Sequence, residues 1–290
     1  MSARARAKVN LTLAVTGRRP DGYHTLESLI AFAGLADRLT VDGDTGGAVR
    51  YVGAGASAIG PGDLVSRAVT LLKDRYPDLA LPTVTVEKII PAAAGLGGGS
   101  ADVAAYLRLV RSHNAEAAGG VDWAGLALQL GADVPVCLVN ETCWVAGIGE
   151  QLSPVRLADP LYVVLANPQT SVPADKTRAV FKAFAARGSA FSEPRPPSDH
   201  STGLSGDDLD RLMSTAGNDL EAAAVDVVPE IAQVRRTLEA CDGARHVRLS
   251  GAGPTMFAVF DSAEAAEDAA AEVSAREPGW WVQATTLGAD

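Results

Sequence analysis

Between Pro91 and Ser100 the chain reads Pro-Ala-Ala-Ala-Gly-Leu-Gly-Gly-Gly-Ser, so four of the five residues from Gly95 to Gly99 carry no side chain. Before this run, Val84, Val86 and Ile89 give a strand signal that Pro91 closes. After it, Val103, Tyr106, Leu107 and Val110 recur at helical spacing. A strand must therefore hand over to a helix through a nearly bare backbone. Glycines without Cβ let successive N–H groups converge on an anion at a helix N-terminus, and phosphate is the natural guest. A plain tight turn is the competing reading. The Walker pattern is absent, and the dinucleotide pattern G-x-G-x-x-G appears only loosely, as Gly95-x-Gly97 followed by Ser100.

The 290 residues allow one large domain or two of ordinary size. With 47% hydrophobic and 21% charged residues the chain is globular, and its 5% aromatic content leaves the core to Ala, Val and Leu. A formal charge of −10 speaks against nucleic-acid or membrane-surface partners, which are themselves polyanionic, but leaves a small anionic ligand open. Cys137, Cys143 and Cys241 lack metal-type spacing and read as buried spectator thiols in a reducing compartment. No stretch reaches the ~20 apolar residues of a membrane span, and no cleavable leader is evident, so a cytoplasmic protein is expected.

Val9, Leu11, Leu13 and Val15 alternate with Lys8, Asn10 and Thr12, which predicts a strand with Lys8 and Asn10 on its second face. Gly17 to Gly22 is a turn that places Tyr23 and His24 just beyond a tight loop. Short strands are expected at 39–41, 49–52, 161–166, 247–249 and 256–260, and helices at 64–76, 122–130 and 220–240. A last helix begins at Asp261 with Glu264 three residues on. The stretch from Arg187 to Gly206 reads as a mobile surface loop. Strands and helices are mixed without strict alternation, which predicts an α+β protein, with a domain boundary near residue 155 that separates 1–155 from 156–290.

Taken singly, the polar candidates are ambiguous. Asp133, between Gly131-Ala132 and Val134-Pro135, is a carboxylate released from helical geometry, or simply a turn residue. Lys8 is a functional ammonium or a solvated strand side chain. Tyr23 and His24 are a stacking platform or a satisfied pair at a domain edge.

Taken together, Lys8 to Leu13, Gly17-Arg18-Arg19-Pro20-Asp21-Gly22-Tyr23-His24, Pro91 to Asp102, Gly131 to Pro135 and Leu249 to Thr255 resemble the GHMP small-molecule kinases, in order and over nearly the whole chain. The resemblance implies two domains with the active site in the cleft between them. It also implies an ATP-dependent kinase in which Pro91, Gly95, Leu96, Gly97, Gly98, Gly99, Ser100 and Ala101 wrap the ATP phosphates. Asp133 would be the base and Lys8 its cationic partner, with Mg²⁺ carried in by the nucleotide. Ala101 departs from the family loop, where a second hydroxyl is common, and Asp102 is either a Mg²⁺ ligand or a helix-dipole partner. Within the family, the Gly-Arg-Arg-Pro-Asp-Gly-Tyr-His segment points to a cytidine diphosphate-linked methylerythritol as acceptor. Asn10, Tyr23, His24, Thr177 and Phe181 would hold it, while Gly251 and Gly253 close the site and Ser250 reaches a phosphate. A homoserine or mevalonate kinase, or a ligand-sensing relative without turnover, are the alternatives.

Overall fold

The computed structural model describes residues 1–194 and 203–288, so residues 195–202 of the stretch expected to be a mobile loop lie outside the described residues. Packing divides the chain into two units. The first holds Met1–Ala7, Leu35–Ala92 and Gly97–Asn140, and the second Lys8–Gly34, Ala93–Leu96 and Glu141–Asp290. This division is discontinuous in sequence, unlike the single boundary read near residue 155. The chain changes unit inside the glycine run itself, between Leu96 and Gly97.

The strands are β1 (Ser2–Asn10), β2 (Ala14–Arg18), β3 (His24–Val41), β4 (Val49–Val52), β5 (Val84–Glu87), β6 (Cys143–Gly147), β7 (Gln151–Pro154), β8 (Leu161–Asn167), β9 (Arg245–Leu249), β10 (Met256–Phe260) and β11 (Trp281–Leu287). The helices are α1 (Leu64–Arg75), α2 (Gly98–His113), α3 (Trp123–Leu130), α4 (Val134–Val139), α5 (Lys176–Ala186), α6 (Gly206–Thr215), α7 (Glu221–Val227), α8 (Ile231–Glu239) and α9 (Ala263–Arg276). The mixture is the expected α+β class.

In the first unit the end of β3 pairs antiparallel with β5, Arg38 opposite Glu87 and Val41 opposite Val84, and β5 pairs parallel with β4. α2 packs on α1 and α4. Its residues from Ala101 to Leu107 are all buried, so the helix is enclosed rather than merely amphipathic. Asp63 caps α1 by accepting from the Ser66 N–H, and Asp122 caps α3 by accepting from Gly125.

In the second unit β2 and β3 form a hairpin around the turn expected at Gly17–Gly22, and β3 continues onto β6 and β6 onto β7. β9, β10, β8 and β11 form an antiparallel set, with Met256 opposite Leu249 and Ala166, and Val282 opposite Ala166. Every residue of β10 is buried, which requires cover on both faces. α7, α8 and α9 contribute Ala223, Ala224, Ile231, Val234, Leu238, Ala266 and Val273 to that core.

Four expectations are corrected. The strand expected to run through Val15 ends at Asn10 and resumes at Ala14, and its polar residues Lys8, Asn10 and Thr12 are buried along with the apolar ones. The glycine-loop helix begins at Gly98, two residues before Ser100. The stretch 220–240 is two helices, because Pro229 lacks the N–H that a continuous helix needs. The final helix is capped by Ser262, whose hydroxyl accepts from the Ala265 N–H, rather than opened by Asp261.

Candidate functional site

Four consecutive carbonyls of the glycine run are fixed within the second unit. Lys176 Nζ donates to Ala93 O at 2.8 Å, Thr255 N–H to Ala94 O at 3.1 Å, Ser250 Oγ to Gly95 O at 3.1 Å and Lys8 N–H to Leu96 O at 2.9 Å. Among the described residues the N–H groups of Ala93 through Gly97 donate no hydrogen bond. Gly95 makes the close approach feasible. Its φ is +84°, and a Cβ built on it would lie 2.5 Å from Ser250 O and 2.7 Å from Gly253 O. The strip is thus a backbone whose carbonyls are all bonded while its N–H groups are not.

Lys8 lies beside this strip with 4% exposure. Its ammonium donates to Asn10 Oδ1 at 2.6 Å, the Asn10 amide donates to Ser28 Oγ at 2.8 Å, and Ser28 donates to the Thr12 carbonyl at 2.5 Å. The relay fixes the Asn10 amide orientation and presents its oxygen to the ammonium. Gly251, at φ +57°, is where a Cβ would come within 3.3 Å of Asn10 Oδ1 and 3.5 Å of Lys8 Nζ. The Ser250 hydroxyl is fully buried; it accepts from the Asn10 N–H and donates to the Gly95 carbonyl. The loop closes on itself through Ser250 N–H to Thr255 O and Gly253 N–H to Ser250 O, and Thr255 accepts from the Asn167 amide at 2.8 Å.

The acceptor candidates in the second unit fall into two groups. Tyr23 is 61% exposed at the hairpin end. His24 stacks on Phe181 of α5, with ring centroids 4.9 Å apart and planes 16° from parallel, so the two residues named from the resemblance do meet. Burial first, and then the Arg18 guanidinium, push the His24 pKa below its ordinary value, which keeps the imidazole neutral and able both to donate and to accept. Thr177 is exposed in the first turn of α5, one turn before Phe181.

In the first unit the second half of the run starts α2. Gly97, at φ +66°, is its N-cap, so the N–H groups of Gly98, Gly99 and Ser100 have no partner inside the helix. Ala101 is buried, so a hydroxyl at this position would be enclosed as well. Asp102 is also buried; its Oδ2 accepts from Lys88 Nζ at 2.6 Å, and Lys88 also pairs with Asp37. Among the described residues no group of three or more His, Cys, Asp or Glu side chains could hold a metal ion. Asp133 is half-buried at the N-cap of α4, a short helix with Pro135 in its first turn, and its carboxylate does not cap that helix. All three cysteines are buried, and among the described residues none forms a disulfide.

Sequence reasoning missed Lys176, Lys88 and Asp37. None stands in a motif, and each owes its place to partners dozens of residues away.

Two family models show that the chain is of the small-molecule kinase class. One describes the GHMP kinase N-terminal domain and matches residues 63–141; the other describes the GHMP kinase C-terminal region and matches 203–279. The chain belongs to the GHMP kinase family. The 4-diphosphocytidyl-2-C-methyl-D-erythritol kinase of Bradyrhizobium diazoefficiens is 41% identical over 97% of this chain and 96% of its own length. The enzyme of the same name from Rhodopseudomonas palustris strain BisB18 is 43% identical over 98% and 94%. A crystal structure of 4-(cytidine 5'-diphospho)-2C-methyl-D-erythritol kinase, 34% identical, covers all of both chains with a TM-score of 0.79. Among the described residues, no helix is long and apolar enough to cross a membrane.

Proposed function

We propose that this chain phosphorylates the 2-hydroxyl of 4-diphosphocytidyl-2-C-methyl-D-erythritol at the expense of ATP, a step of the non-mevalonate isoprenoid route. The observation that carries the reading is the strip Ala93–Leu96, whose four carbonyls are all tied down while its amides stay open for phosphate oxygens. Full-length relatives that carry this enzyme's name support the choice of acceptor. So does the His24–Phe181 stack, a flat aromatic surface beside the exposed Tyr23 on which a cytosine ring can lie. The family models fall on either side of residue 155, which supports reading 1–155 and 156–290 as its N- and C-terminal domains.

In this reading Asp133 accepts the proton of the acceptor hydroxyl as the new O–P bond forms, and the γ-phosphoryl leaves ADP behind. Lys8, its ammonium oriented by Asn10, neutralises charge that develops on the transferred group. Tyr23, His24, Thr177 and Phe181 hold the cytidine end, and Asn10 and Gly251 border the reacting end. A Mg²⁺ ion bound to the nucleotide's own phosphates would supply charge neutralisation there.

Asp133→Asn tests the assignment, since it keeps the shape and removes the base. Turnover should fall by about a hundredfold to ten-thousandfold while ATP and CDP affinities, measured calorimetrically, change little. Near-normal turnover would refute the role of Asp133. Equal or faster rates with homoserine or mevalonate would move the acceptor elsewhere in the family.

A further inference from the structure

Lys176 is the first residue of α5, where the helix dipole disfavours a cation, and it is only 5% exposed. Its ammonium donates to the carbonyls of Ala93 and Gly253. Among the described residues no carboxylate pairs with it. An ammonium has three donors, so one remains after these two contacts. Ala93 opens the clamped strip and Gly253 belongs to the loop that carries Gly251 beside Lys8. The charge therefore sits against the backbone that presents its amides to an anion. Burial first, and then the neighbouring Lys8 ammonium, bring the Lys176 pKa down to about 8. A buried ammonium without a countercharge is costly unless an anion arrives to supply one.

We infer that Lys176 is an anion-binding residue, whose third N–H takes a phosphoryl oxygen of a bound phosphate ester next to Lys8. The identity of that ester rests on the kinase reading above: a nucleoside triphosphate on the donor side or a nucleoside diphosphate on the acceptor side. A merely structural role as a staple between the Ala93 and Gly253 carbonyls is the rival explanation.

Lys176→Gln separates the two, because an amide still donates to carbonyls but carries no charge, while Lys176→Arg keeps the charge. The full chain and both variants are titrated calorimetrically with inorganic tripolyphosphate, a non-hydrolysable ATP analogue and CDP, with melting temperature followed in parallel. Loss of a charge-assisted hydrogen bond should weaken tripolyphosphate binding by the Gln variant about tenfold or more, with the Arg variant close to the parent. Whichever of the ATP analogue and CDP weakens with it names the source of the oxygen. A Gln variant that melts like the parent and binds all three probes within about twofold would overturn the inference. If the Gln variant does not fold, a crystal of the unaltered chain with the ATP analogue and CDP decides. A phosphoryl oxygen within about 3.5 Å of Lys176 Nζ supports it, and none within that distance overturns it. The tripolyphosphate arm needs no turnover, so an unaltered chain that binds this probe through Lys176 yet phosphorylates nothing would defeat the kinase reading alone.

Discussion

Lys88 and Lys176 are buried almost equally, at 3% and 5% exposure, yet their ammonium groups keep different company. Lys88 faces two carboxylates, Asp37 and Asp102; Lys176 faces two carbonyls. Burial alone would lower both pKa values. At Lys88 the attraction of Asp102 and Asp37 outweighs it and the pKa rises, whereas at Lys176 burial and Lys8 act together and it falls. The first lysine completes an internal cluster that ties β3, the end of β5 and the first turn of α2 together. Asp37 extends the tie by accepting from the Ile89 and Ile90 N–H groups just before Pro91. A cation already neutralised by its own chain serves architecture; one that is not has charge left for a ligand.

The most severe way to break this contrast is Lys88→Met. It leaves Asp37 and Asp102 buried without their cation, which should cost about 3–5 kcal/mol in urea unfolding at neutral pH. A loss below about 1 kcal/mol would mean that the cluster is not what holds this region, and the distinction between the two lysines would fall.

Two glycines of the same run sharpen the comparison, one on each lysine's side. At Gly95 an added methyl meets two fixed carbonyl oxygens at 2.5 and 2.7 Å, with φ at +84°, so Gly95→Ala should destabilise by about 2–4 kcal/mol and pull the strip from its clamp. At Gly98 the same methyl meets Ile90 Cγ2 at 3.1 Å and Lys88 Nζ at 3.5 Å, both movable side-chain atoms, inside a helix that favours Ala. Gly98→Ala should stay within about 1 kcal/mol of the parent. Thermal melting of the two variants side by side checks the pair, and equal effects would show that the clamp at Gly95 is looser than its distances imply.

How much of this was readable beforehand follows from what each feature depends on. The strand–glycine–helix passage at 84–110, the turn at Gly17–Gly22 and the helices at 64–76 and 122–130 rest on local chemistry, and periodicity and turn residues declared them. α4 escaped because six residues with Pro135 in the first turn carry too little periodicity. α5 escaped because Lys176 occupies a helix start where propensity argues against it. The burial of Lys8 and Asn10 could not be read from alternation, since a strand with both faces covered looks half-polar when its buried polar groups satisfy one another. The same holds for the Lys88 cluster, whose members are separated by 51 and 14 residues. The family motifs named Lys8, Asp133, His24 and Phe181, but only coordinates show His24 lying flat on Phe181.

The gentlest test looks inside the Lys88 cluster. Two carboxylates share one ammonium there, and Asp102 Oδ1 has no hydrogen-bond partner. Burial pushes the Asp102 pKa up to about 7, against the pull of Lys88 and with the push of Asp37. An unfolded aspartate releases its proton near pH 3.9. Between these values the folded chain keeps a proton that the unfolded chain has given up, so stability from this group declines as pH rises from about 4 to about 7 and then levels off. Asp102→Asn has no proton to lose and keeps an oxygen for Lys88. The unfolding free energy of the parent should therefore fall relative to that of the variant across this window, by on the order of 1–3 kcal/mol. Parallel curves between pH 4 and 7 would mean that Asp102 is ionised throughout and that Lys88 neutralises both carboxylates at once. The cluster would then be a tighter ionic lock than its uncovered oxygen suggests, and the contrast with Lys176 would be wider still.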